Sequence, residues 1–234
     1  MCAMPGKRGR HVLTYLLSWF RDPVALLQNI VLTLPGVLIG LTVHEWAHAF
    51  VAYKLGDPTA KAAGRMTLNP LAHLEPVGFV SLLLLGFGWA KPVPVSTRYF
   101  KHFRRDDIFV SLAGVTMNFL TAFVFLFLMW GLMFRVPSLY ASDNFWRIMS
   151  GVVSVNLSLM VFNLIPIYPL DGSHVLESLC MRRWPKFCWF LRSYGRYIML
   201  ACLVLGLVGE VLSPVVNWFY GWMSQVVFFV FGVA

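Results

Sequence analysis

Three side chains in the stretch LTVHEWAHAF, residues 41–50, combine acid–base and metal-binding chemistry: His44, Glu45 and His48. On a helix, positions four apart share a face, so both imidazoles turn toward one point, while Glu45 lies close enough to hydrogen-bond a water held there. The spacing fits a catalytic metal better than a structural one. A catalytic zinc commonly takes three protein ligands and leaves a position open for water, whose pKa it lowers to about 7. A third ligand is therefore required. Asp171, in the proline-broken turn NLIPIYPLDGSH at 163–174, leads, and His174 is its rival three residues later. His73 and Glu75, in NPLAHLEP, are expected to order the approach to the site. His11 and His102 sit in basic flanking segments and are expected at the membrane interface.

The elements that must carry these groups are membrane helices. Of 234 residues, 59% are hydrophobic and 12% charged, too little polar surface for a soluble domain to cover itself. At roughly 20 apolar residues per crossing, the chain accommodates four to six spans. The first is expected over about 24–53, with Pro23 in its first turn and Gly56-Asp57-Pro58 ending it. It carries no charge from Val24 to Val43, so His44, Glu45 and His48 come at the edge of an apolar run. Ionisable groups are expensive there unless function or pairing compensates. Gly36 and Gly40 form a small-xxx-small pair suited to close helix contact. Further spans are expected over 108–134 and 145–164, and two last apolar runs, 197–212 and 214–233, read as spans or a helical hairpin.

Segment 77–96 is too short and too interrupted by Gly86, Gly88, Pro92 and Pro94 to cross; it reads as re-entrant, ending in an edge strand. Irregular backbone at membrane depth implies a cavity that satisfies it. VLTYLLSWF at 12–20 and RRWPKFCWFLRSYGR at 182–196 read as interfacial helices. The net charge of +9 gathers between the apolar runs, which is the positive-inside pattern and not that of a nucleic-acid binder. Cys2, Cys180, Cys188 and Cys202 show no CxxC spacing and are expected to be free thiols. The basic loops at 98–105 and 182–196 favour the cytoplasmic side, with the end of the first span beside them.

Taken together, these residues resemble the site-2 proteases, zinc metalloproteases that cut within membranes. The resemblance rests on HEWAH at 44–48, on NLIPIYPLDG at 163–172, on GDPTAKAAGRMTLNPLAHLEPVG between them, and on GWAKPVPV at 88–95, which is similar to the family's membrane-associated β-hairpin. It implies an all-α multi-pass fold with four to six transmembrane helices and that short hairpin. It further implies one zinc ion held by His44, His48 and Asp171, water activation by Glu45, and substrate binding or carbonyl polarisation by Asn163. The chain departs from the family at AGVTMN, 113–118, where Val115 replaces a frequent proline while Gly114 and Asn118 remain.

The expected organisation is an N-terminal interfacial segment over 1–23, a protease core over 24–180 and C-terminal helices over 181–234, a minimal form without PDZ or CBS domain. Expected partners are transmembrane substrates, the lipid bilayer and a separate regulatory or adaptor protein. The cell membrane is the expected location, with the active site nearer the cytoplasmic side. The competing class is a membrane zinc-binding protein or transporter, which has no evident need for Glu45 beside a water-bearing ion.

Overall fold

The computed structural model describes residues 20–85 and 88–232; most of the expected N-terminal interfacial helix lies outside them. Helix α1 spans Pro23–Lys54. Its start follows from local chemistry: Pro23 occupies the first turn, and the Asp22 carboxylate accepts the Ala25 amide at 2.9 Å. The chain then turns at Gly56, with φ +105°, into the single-turn α2, Thr59–Ala62. After α3, Pro76–Leu85, come the long α4, Phe103–Arg135, and α5, Asp143–Asn163. The remaining helices are α6, Asp171–Cys180, α7, Pro185–Val204, and α8, Leu207–Phe231.

Helices α1, α4 and α5 are long and apolar enough to cross a membrane, and α7 with α8 makes a fourth candidate if that pair, bent by 79°, counts as one. The described residues thus form an all-helical, multi-pass membrane protein with three or four candidate spans, against the four to six expected. The break in the C-terminal region falls at Gly206, φ +74°, and not ahead of Pro214, which sits inside α8. Glycine adopts the left-handed conformation at little cost, whereas membrane helices tolerate an internal proline.

Contacts between the three central helices set their directions. His44 and His48 of α1 face Gly114 of α4, and the His48 ring reaches Val110, so these two helices run antiparallel. Gly36 lies against Gly151 and Val152 of α5, and Gly40 against Asn156 and Leu159, so α1 and α5 run parallel. A Cβ on Gly36 would stand 3.0 Å from the Gly151 carbonyl oxygen, so the predicted small-residue face does bring two backbones together. Away from the histidines, Leu126, Met129 and Met133 of α4, Leu157 of α5 and Met223 and Val227 of α8 form a fully enclosed apolar cluster. Val115 belongs to that cluster, and α4 runs unbroken through it despite the missing proline.

The expected β-hairpin is not formed among the described residues. One isolated antiparallel bridge, Leu74 to Ala90, is all the β pairing there, joined by a Lys91 amide bond to the His73 carbonyl at 2.9 Å. The reason is chemical: Pro92 and Pro94 have no N–H, and the intervening amides are claimed by side chains. Val93 N donates to Glu45 Oε2 at 2.8 Å, and Ser96 N to Asp57 Oδ2 at 2.6 Å. The segment 91–96 is therefore a strap tied to α1 and to the turn after it.

Candidate metal centre

His44 and His48 follow one another on the inner face of α1, their Nε2 atoms 3.0 Å apart and their rings edge to face. Helical periodicity alone accounts for this alignment. Asp171 arrives from elsewhere. Pro166 and Pro169 keep the chain irregular after α5, Leu170 is extended, and α6 begins at Asp171. Ser173 fixes that start, its hydroxyl and amide both donating to the Leu170 carbonyl. Asp171 Oδ2 consequently stands 3.3 Å from both His44 Nε2 and His48 Nε2.

These three donors come from two separate elements and form a nearly equilateral triangle. Donors at about 2.0–2.1 Å around a tetrahedral dication stand about 3.4 Å apart, so the spacing fits such an ion. The hydrogen bonding fits too. His48 Nδ1 donates to the Val110 carbonyl at 2.7 Å, which leaves the Nε2 lone pair facing the triangle, and buried Asp171 Oδ2 makes no hydrogen bond. His174, exposed one turn along α6, is not part of the cluster.

Glu45 is buried beside the imidazoles, and its carboxylate accepts the Val93 amide. With Asn163, at the end of α5, it lines a cavity of about 680 Å³ that also reaches His44, His48, Asp171 and His174. Asn163 Nδ2 donates to the Leu159 carbonyl of its own helix at 3.0 Å. His73 is buried with Nε2 against the Thr67 carbonyl at 2.8 Å, and its carbonyl accepts the Lys91 amide of the strap. Glu75 is half-buried, its carbonyl accepting the Phe79 amide, and His102 stands just before α4, its amide donating to the Asp106 carboxylate. His11 lies outside the described residues.

Two contributors were not legible as site residues. A Cβ on Gly114 would fall 2.5 Å from His44 Cε1 and 2.6 Å from His48 Nε2, so the space for both rings depends on glycine. Asp57, wholly buried, accepts bonds from Thr59 and Ser96 and so anchors the strap. In sequence it reads only as a helix stop, although Asp-Pro-Thr is also the composition of a side-chain-capped turn.

The model for "Peptidase family M50" matches residues 132–205, which include the Asp171 turn and not HEWAH. "Putative zinc metalloprotease YwhC" of Bacillus subtilis is 40% identical over 83% of this chain and 89% of its own length. "Putative zinc metalloprotease Rip2" of Mycolicibacterium smegmatis is 28% identical over 85% of this chain and 76% of its own. "Putative zinc metalloprotease MJ0611" of Methanocaldococcus jannaschii is 32% identical over 68% and 73%, respectively. No solved structure matches the chain.

Proposed function

The chain belongs to peptidase family M50, the site-2 protease family, and from that membership we propose that this metalloendopeptidase uses zinc to cut transmembrane segments of other proteins inside the bilayer. The observation that carries the reading is the convergence of His44, His48 and Asp171 on one point, with Glu45 beside them at the same cavity. His44, His48 and Asp171 are the zinc ligands. Bound there, zinc supplies Lewis acidity that polarises the scissile carbonyl and acidifies water. Glu45 takes the proton from the attacking water and returns it to the leaving amine. The Val93 amide occupies Oε2 and orients the carboxylate, which leaves Oε1 free to accept the proton. Asn163 binds the substrate main chain; one N–H of its amide is held by the Leu159 carbonyl, which leaves the second N–H to offer.

A helical substrate hides its carbonyls in its own hydrogen bonds and must unwind to be cut, so helix-breaking residues near the cleaved bond favour turnover. The strap lines the cavity through Pro92, Val93 and Val95 and offers few free donors, so a substrate strand added there has to displace the Val93–Glu45 bond. The histidines lie toward the C-terminal end of α1, in a cavity also lined by Arg104 at the start of α4, which favours the cytoplasmic side of the cell membrane for the site. A separate adaptor is the simplest source of substrate choice.

Purified protein in lipid vesicles should cleave a transmembrane peptide, and chelation should stop it. Glu45→Gln should keep one zinc per chain while losing about 10²- to 10⁴-fold in rate, the range for removal of a general base. Undiminished cleavage by Glu45→Gln, or by metal-free protein, overturns the assignment.

A further inference from the structure

The two imidazoles are supported unequally. His48 Nδ1 has the Val110 carbonyl, but His44 Nδ1 is buried with no hydrogen-bond partner. A histidine that ligates through one ring nitrogen almost always donates its other N–H to an oxygen, because that bond fixes ring orientation and raises basicity. On the facing helix Gly114 lies against His44 Nδ1: an added Cβ would stand only 2.6 Å away.

One turn further along α4 is Asn118, fully buried, with neither its Oδ1 nor its Nδ2 hydrogen-bonded. Residues four apart share a helix face, and helical side chains lean toward the N-terminal turn, which for Asn118 is the bare turn at Gly114. Helical spacing thus puts an unpaired buried acceptor on the turn next to the one that faces the unpaired His44 Nδ1. Leaving both unsatisfied is costly, and a polar gap of this kind is where an ordered water is retained.

Resting on the zinc reading above, we propose that Asn118 is the positioning residue for His44: its Oδ1 accepts the His44 Nδ1–H, directly or through one trapped water, and thereby aims Nε2 at the metal. Asn118 does not touch the substrate. Gly114 and Asn118 act together, the first by clearing the space and the second by supplying the acceptor.

Another buried amide at this level serves as the control. Asn156 on α5 also faces Gly40, one turn before His44, with its own Oδ1 unpaired but its Nδ2 committed to the Val152 carbonyl. Zinc affinity is measured by competition with a chelating fluorophore, on the full chain, alongside thermal unfolding of the metal-free form. Asn118→Leu should bind zinc about 10- to 100-fold more weakly, the usual cost of losing such an outer partner. Its metal-free form should unfold no earlier than the parent's.

Asn118→Asp, which retains an acceptor, should hold zinc at least as tightly as the parent, and Asn156→Leu should leave affinity unchanged. Parent-like affinity in Asn118→Leu overturns the proposal, as does weakened binding in Asn118→Asp or equal weakening in Asn156→Leu. If Asn118→Leu does not fold, Asn118→Ala, which also removes the acceptor, takes its place: it should weaken zinc binding likewise, and parent-like affinity in it overturns the proposal. Failure of the parent chain to bind zinc would instead reject the zinc reading itself.

Discussion

The two ends of the helix bundle are built by different physics. At one, Glu45, His48, Asp57, Asp106 and Ser173 are buried and each bonds to backbone from another segment or from the neighbouring turn. At the other, Leu126, Met129, Met133, Leu157, Met223 and Val227 are sealed among rings such as Trp130, which stands 4.6 Å from Phe228 and 5.4 Å from Trp146. Within lipid there is no hydrophobic drive to bring helices together, so the apolar end coheres through shape. The polar end coheres because an unpaired group there would be expensive. Stability and chemistry are in this way assigned to different stretches of α4 and the helices packed on it.

The sharpest way to break that division is at Asp171. Asp171→Ala should abolish bound zinc and cleavage together, while the metal-free protein unfolds close to the parent temperature, because a buried carboxylate with no hydrogen bond on Oδ2 is lost. Zinc analysis and thermal unfolding read the two effects separately. Retained zinc would mean that His174 or another group can take over, and the ligand assignment would fall.

A smaller effect comes from comparing two glycines on α4. Gly114→Ala drives a methyl into both imidazoles and should lower zinc occupancy and activity by about 10- to 100-fold, like other disturbances of ligand support. Gly131→Ala meets only the tip of Phe231, at 3.1 Å, and should be nearly silent in both assays. Similar losses from the two substitutions would show that α4 responds as a whole and that the ends are not independent.

The mildest test for function is the heaviest for stability. Leu126→Ala should cost about 2–5 kcal/mol, the range for emptying a large buried site in a well-packed core. Activity per folded molecule should hardly change. A fall in specific activity that matches the fall in stability would erase the distinction between the ends.

The polar end was the more legible in sequence, since His44 and His48 follow from helical periodicity and Asp171 from a proline-broken turn at the right place in the chain. Asp171 and not His174 meets the imidazoles because α6 starts at Asp171, which aims its first residue at α1 and carries His174 one turn away into the open. The strap was misread because alternating Val and Pro fit an edge strand and a coil equally well. What decides is which distant carboxylates claim the amides, and Glu45 and Asp57 lie 48 and 39 residues from their partners Val93 and Ser96. The C-terminal break was placed at the wrong residue because proline is the louder local signal, although Gly206 makes the turn. Asn118 was marked in sequence only as a retained part of the AGVTMN motif, without a role; its lack of partners, a tertiary fact, is what suggests one.

The bend at Gly206 also has a bearing on how the molecule sits. Ring contacts pair Phe119 with Phe219 and Phe134 with Phe231, so α8 descends in step with α4 and opposite to α1. With the bent pair as one crossing, the path is even in number, and Phe231 returns to the leaflet from which Pro23 departed. A bulky tag joined beyond α8 would then hang across the bilayer from the catalytic pocket, leaving its mouth unobstructed.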